Sequence, residues 1–215
     1  MEPAIAGAEL EPSEVICDGW IHAFGDYYPR RNVTEHLNSP WSRAVIMAKR
    51  RYEGVCQVFG RMIAAHLRQL LNDGHRWTVT HVPTEPGQDQ GWLFAGLDQC
   101  ATEMLATCIW KELSRDLDVS IEALLVQTRV KVKKQHQCQD TAERLVNVRA
   151  LYALADGKRV DGHRVLLVDD VMTSGATMNE CARVLRIGGA GEIIGVALAR
   201  TVRLRDTAPE MEWAS

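Results

Sequence analysis

Two adjacent carboxylates, Asp169 and Asp170, are followed by Val171, Met172, Thr173, Ser174, Gly175, Ala176 and Thr177. Carboxylates accept hydrogen bonds or hold cations, and a turn of small residues can aim backbone N–H groups at an anion. The hydroxyls of Thr173, Ser174 and Thr177 add donors. A helix starting after the turn would contribute unpaired N–H groups and a positive dipole end, so a phosphate is the natural occupant. Two carboxylates beside a phosphate repel it, so the ligand must also bring hydroxyl donors, a metal ion, or both. A sugar phosphate meets that demand, with its phosphate in the turn and its hydroxyls donating to Asp169 and Asp170. Neighbouring side chains on a strand point to opposite faces. Both acids therefore reach one ligand only where the chain leaves strand geometry, a departure expected over residues 172–175.

Hydroxyl caps and strand-ending aspartates are common singly, but that explains the whole run poorly. The sequence has no G-x-x-x-x-G-K-[ST], which excludes a P-loop nucleotide binder. A receiver domain also has an apolar strand ending in Asp-Asp, but near its start. Too little chain follows Asp170 to build one.

The surrounding elements must bring these residues to an open edge. Residues 164–168 are almost continuously apolar, as in a parallel strand buried on both faces. A helix over 177–187 follows, stopped by Gly188 and Gly189, and a strand over 192–199 comes last. Upstream, Val55, Val58, Phe59, Met62, Ile63, His66, Leu67 and Leu70 recur at spacings of three and four, predicting a helix over 41–71. Asn72, Asp73 and Gly74 stop it. A strand over 77–82 ends at Pro83, and a helix is predicted over 92–113. Strands are predicted over 121–126 and 148–154, with a polar, basic loop over 129–140. Residues 1–40 show no clear period, though Trp20, Phe24, Tyr27 and Tyr28 mark them as packed. The alternation predicts an α/β fold, with a mainly parallel central sheet and flanking helices.

The 215 residues suit one domain with an elaborated N-terminal part, and 46% are hydrophobic, enough for a core. A net charge of -3 gives no nucleic-acid footprint over the whole molecule, so a nucleic-acid partner is not expected. No apolar run is long enough to span a bilayer, so no membrane association is expected. The start has no basic segment leading an apolar one, and the expected location is cytoplasmic. The cysteines Cys17, Cys56, Cys100, Cys108, Cys138 and Cys181 form no C-x-x-C pair and are expected to be free thiols. His136 with Cys138 offers two ligands, too few for a structural site. No protein-held metal centre is predicted.

Residues 165–177 resemble the PRPP-binding motif of type I phosphoribosyltransferases. Lys49, Arg50, Arg51 and Tyr52, the strand before Pro83, and Arg129, Gln135, Arg144, Asn147 and Val148 extend the resemblance to the ComF-like branch. It spans roughly residues 41–200. The resemblance implies a type I phosphoribosyltransferase-like fold with an added N-terminal segment. It also implies transfer of ribose 5-phosphate from PRPP to a small, nucleobase-like acceptor, with release of diphosphate and with Mg²⁺ as cofactor. Asp169 and Asp170 would be the catalytic pair on the 2- and 3-hydroxyls. Thr173, Ser174, Gly175, Ala176 and Thr177 would hold the 5-phosphate, with Val171 and Met172 alongside. Pro83, Thr84 and Glu85 would lie by the diphosphate. Arg129, Lys131, Lys133, Lys134 and Gln135 would sit on a loop that closes over the site.

The implied layout is an N-terminal segment over 1–40 that could form the base-recognising hood, a transferase-like domain over 41–205, and a tail over 206–215. A homodimer is common in such relatives. Trp20, Trp41, Trp92 and Trp213 are each able to stack on a base, against the ordinary alternative of core packing. Two features depart from the branch. The loop over 83–91 carries Glu85 and Asp89 and no cation, and there is no N-terminal four-cysteine zinc element. The acidic loop leaves a second reading open, a regulatory module that binds PRPP or a nucleotide with little chemistry. A DNA-uptake accessory role, suggested by the branch's competence name, is a third.

Overall fold

The computed structural model describes residues 21–30, 32–83, 100–128 and 151–202. Its elements in chain order are β1 (Ile21–Ala23), β2 (Asp26–Tyr27), α1 (Val33–Asn38), α2 (Pro40–Lys49), α3 (Glu53–Leu71), β3 (Trp77–His81), α4 (Ala101–Leu113), β4 (Val119–Ile121), β5 (Leu125–Gln127), β6 (Tyr152–Leu154), β7 (Arg164–Met172), α5 (Ala176–Ile187) and β8 (Glu192–Thr201). The central sheet runs β1-β8-β7-β3-β4, with β2 also on β8, and every pairing in it is parallel. β5 and β6 form a separate antiparallel pair. The expected α/β class with a mainly parallel sheet is what the chain adopts.

Strand β7 sits in the middle of the sheet, which is why its sequence is apolar on both faces. Leu166 and Val168 join a core with α2, α3 and α4, while Val165 and Leu167 join a second core with α5. This alternation is the ordinary pleat. It fails across the acids: Val171 packs on the α2–α4 side and Met172 on the α5 side. Unbroken alternation would put Val171 with Leu167. The phase of the pleat therefore slips by one at Asp169–Asp170, while the register with β8 continues as Asp169↔Ala197 and Val171↔Ala199. The chain leaves the strand at Thr173, inside the departure expected over residues 172–175, and the pleat has already slipped at the acids.

The helix predicted over 41–71 is two helices. Ser39 caps α2, accepting a hydrogen bond from the Ser42 N–H at 3.1 Å, and Pro40 occupies the first helical position. After Lys49 the chain turns through Arg51 at φ 62, the one non-glycine left-handed residue among those described. The Arg51 N–H donates to the Ala48 carbonyl and the Tyr52 N–H to the Met47 carbonyl, the two bonds of a Schellman C-cap. Glycine usually fills that position, so the sequence carried no stop signal. The buried face of α3 is also not the one predicted. Phe59, Ile63 and Leu67 are buried, but Val58 and Leu70 are exposed, and Cys56, Gly60 and Ala64 complete the face. A Cβ on Gly60 would stand 2.8 Å from the backbone of Cys108 on α4, so small residues let the two helices close up.

Three further boundaries differ. The described part of the helix predicted over 92–113 begins at Ala101. The strand predicted over 121–126 is two short strands, β4 in the central sheet and β5 in the small one. Residues 21–27, which showed no period, join the central sheet against β8 across the boundary expected at residue 40. Trp41 is a packing residue. Its ring lies edge-on to Phe59 at 5.2 Å, and a Cβ on Gly25 would meet it at 2.5 Å. Trp20, Trp92 and Trp213 lie outside the described residues. No described helix is long and apolar enough to cross a membrane.

Candidate functional site

Because the sheet is parallel, β3, β7 and β8 end on one edge, where open α/β sheets bind ligands. Asp169, Asp170, Val171 and Met172 are the last residues of β7. The Asp170 N–H donates to Asp169 Oδ1 at 2.8 Å, and the Val171 N–H donates to Asp170 Oδ1. Both acids are half-buried. Met172 is 3% exposed and packs in the core, so what it can offer a ligand is backbone.

Thr173, Ser174 and Gly175 form the turn, and Ala176 and Thr177 begin α5. Thr173, Ser174 and Thr177 are half-buried, and Thr173 Oγ1 lies 3.2 Å from Thr201 Oγ1 at the end of β8. Gly175 is the N-cap of α5 at φ 75, ψ -5. It has no side chain to cap with, and the start of a helix is where backbone N–H groups can be offered to an anion. A left-handed backbone is natural for glycine and strained for a residue with a Cβ.

Lys49 supplies what spacing could not reveal. Its ammonium lies 2.6 Å from Asp170 Oδ2, joining the end of α2 to the end of β7. Burial opposes its charge, but the carboxylates of Asp170 and Asp169 prevail and hold its pKa above the ordinary lysine value. A cation beside the acids offsets part of their negative charge. The stabilisation from this shift is complete below the unfolded lysine pKa, about 10.4. It is lost as pH rises through the raised folded value.

A double-mutant cycle of Lys49→Met and Asp170→Asn should show non-additivity of about 0.5–2 kcal/mol in unfolding free energy. Lys49 is partly exposed, which favours the lower part of that range. Urea denaturation of the four proteins measures it, and strictly additive losses would mean that the pair is energetically idle.

Pro83 directly follows Val82, whose N–H donates to the Val168 carbonyl at 2.9 Å, so it stands beside the end of β7. Thr84, Glu85, Arg129, Lys131, Lys133, Lys134 and Gln135 lie outside the described residues. So do Cys17, His136, Cys138, Arg144, Asn147 and Val148. A cleft of about 390 Å³ opens at the opposite, amino-terminal end of the strands, lined by His75, Arg76, Ser120, Glu122 and Arg164 among others. Its charges are mixed, and no residue of the 169–177 run lines it.

The described cysteines are of two kinds. Cys56, Cys108 and Cys181 are buried and in no disulfide, and burial, with Cys108 and Glu53 nearby, pushes Cys56 up to about 11. Cys100, at the start of α4, goes the other way. Desolvation would raise it, but hydrogen bonds with His81, Thr102 and the Glu103 N–H hold it below the usual cysteine value.

The phosphoribosyl transferase domain family matches residues 104–213. The chain is 36% identical over 96 residues to competence protein F of Haemophilus influenzae, a stretch that is 44% of this chain and 42% of that protein. It thus spans less than half the length of that relative. Among solved structures it is similar to a hypoxanthine phosphoribosyltransferase from Staphylococcus aureus, with TM-score 0.42, 11% identity and coverage of 70% of this chain and 74% of that one. A Trypanosoma cruzi hypoxanthine phosphoribosyl transferase gives TM-score 0.45 at 10% identity, covering 71% and 76%. The family match takes in just over half of the chain, including β7, both acids, the Gly175 turn, α5 and β8, so the chain belongs to the phosphoribosyl transferase domain family.

Proposed function

We propose that this chain is a ComF-like phosphoribosyltransferase that takes PRPP as ribose 5-phosphate donor and releases diphosphate on transfer to a small, nucleobase-like acceptor. One observation carries the reading: the acid-ended strand β7 runs through a left-handed Gly175 into α5 at the ligand-binding edge of a parallel sheet. The 5-phosphate takes the N–H groups and hydroxyls of residues 173–177, and Asp169 and Asp170 accept from the ribose hydroxyls. Lys49 positions Asp170 and offsets its charge. Pro83, Thr84 and Glu85 border the diphosphate.

Mg²⁺ favours phosphate oxygens and keeps several waters, so it would be held chiefly by the diphosphate, with at most one carboxylate of the Asp169–Asp170 pair beside it. When bound, Mg²⁺ supplies charge to the departing diphosphate. The loop bearing Arg129, Lys131, Lys133, Lys134 and Gln135 excludes water from the cation-like ribosyl centre by closing. The hood that selects the acceptor belongs to the N-terminal part of the chain.

Titration calorimetry with PRPP, with and without Mg²⁺, followed by diphosphate detection across nucleobases, tests the reading. Saturable binding tightened by Mg²⁺, and diphosphate release with at least one base, is expected. No binding in either condition would remove the proposal. Binding without release from any base would leave the regulatory reading, which the cation-free loop over 83–91 favours.

A further inference from the structure

We propose that His81, Cys100 and Glu103 form a three-ligand site for a borderline-soft divalent cation, Zn²⁺ above all, with a fourth position open to water or an anionic oxygen. One ligand atom from each residue lies within 4.8 Å of the other two. Zinc takes thiolate, imidazole and carboxylate at about 2.0–2.3 Å, which puts tetrahedral ligands roughly 3.3–3.8 Å apart. The widest pair need close by only about 1–1.5 Å.

The backbone holds the three residues from two directions. His81 ends β3 in register with Val168 on β7 and is 9% exposed. Cys100 is the N-cap of α4, and Glu103 stands three residues on, in its first turn. That spacing is also the spacing of a capping box, the plainer explanation. A thiol is a poor cap, however. It accepts weakly, and serine, threonine, aspartate and asparagine are the preferred residues. Here Cys100 Sγ stands 3.4 Å from the Glu103 N–H it caps. What a cysteine does better than a serine is ligate a soft cation, and the helix start and the His81 bond favour its thiolate. A thiolate and a carboxylate side by side repel each other, whereas together their two charges balance Zn²⁺.

This proposal is independent of the transferase reading. The untagged full chain, stripped with chelator and kept reduced, is titrated with Co²⁺ and then with Zn²⁺. One equivalent of Co²⁺ should give a thiolate-to-metal charge-transfer band, and one equivalent of Zn²⁺ should abolish it. Cys100→Ser should lose the band while unfolding at the wild-type temperature without metal, since serine caps α4 at least as well. His81→Ala and Glu103→Gln should each weaken Zn²⁺ at least tenfold, and Cys138→Ser should change nothing. Absence of the band in wild type, its survival in Cys100→Ser, or unchanged affinity in His81→Ala would overturn the proposal.

Discussion

Gly175→Val is expected to abolish PRPP binding, a loss of at least about a hundredfold in affinity, in a protein that still folds. Gly175 sits at φ 75, where a β-branched residue is an outlier. Holding valine there costs on the order of 1–3 kcal/mol. The turn escapes that strain by moving out of the left-handed region, and the N–H groups at the start of α5 swing away from the phosphate. Gly175→Asn separates conformation from space, because asparagine tolerates the left-handed region better than other residues with a Cβ. Near-normal binding by the asparagine variant would mean that only backbone conformation is required. Loss in both variants would mean that the ligand approaches the backbone too closely for any Cβ. Circular dichroism and calorimetric titration decide between them, and a valine variant that binds PRPP like wild type would sink the phosphate assignment.

Asp169→Asn and Asp170→Asn should each weaken PRPP by about 1.5–3 kcal/mol, the worth of a hydrogen bond to a charged group. That corresponds to roughly ten- to 150-fold in Kd. Inorganic phosphate, which presents no ribose hydroxyls, should behave differently. Asp170→Asn removes the carboxylate that engages Lys49 at 2.6 Å, leaving the ammonium for an anion. Phosphate should therefore bind that variant as well as wild type, or better. Opposite responses of the two ligands are the signature of an acid that reads the sugar. Wild-type PRPP affinity in both variants would show that the acids do something else.

The parts of this site readable in the sequence are those whose signal is local. Strand β7 is a continuous apolar run because it is buried on both faces, and α5 follows with glycines behind it. The loop between them announced itself by composition. What could not be read depends on contacts between distant residues. β1 and β2 are three and two residues long, too short for any period, and exist as strands because β8 pairs with them. The break after Lys49 was hidden because an arginine holds the left-handed position. The face of α3 was misread because Gly60 and Ala64 carry little hydrophobic signal, although Gly60 lets α4 come close. Lys49 and Asp170 are separated by 121 positions, beyond the reach of any spacing rule, as are His81 and Cys100.

Short as they are, β1 and β2 also guard the molecule against itself. From Ile193 to Ala199 every residue of β8 is buried, and the backbone of that strand is capped along its outer side by Ile21–Ala23 and Asp26–Tyr27. A strand of this length and apolarity with an uncovered side is a template for pairing with another chain. Cutting the chain at residue 41, where the family resemblance places the start of the transferase-like domain, would leave the acids, Lys49 and the Gly175 turn in the chain. It would also strip that cover, and the uncovered side of β8 is then expected to pair with other copies of the chain.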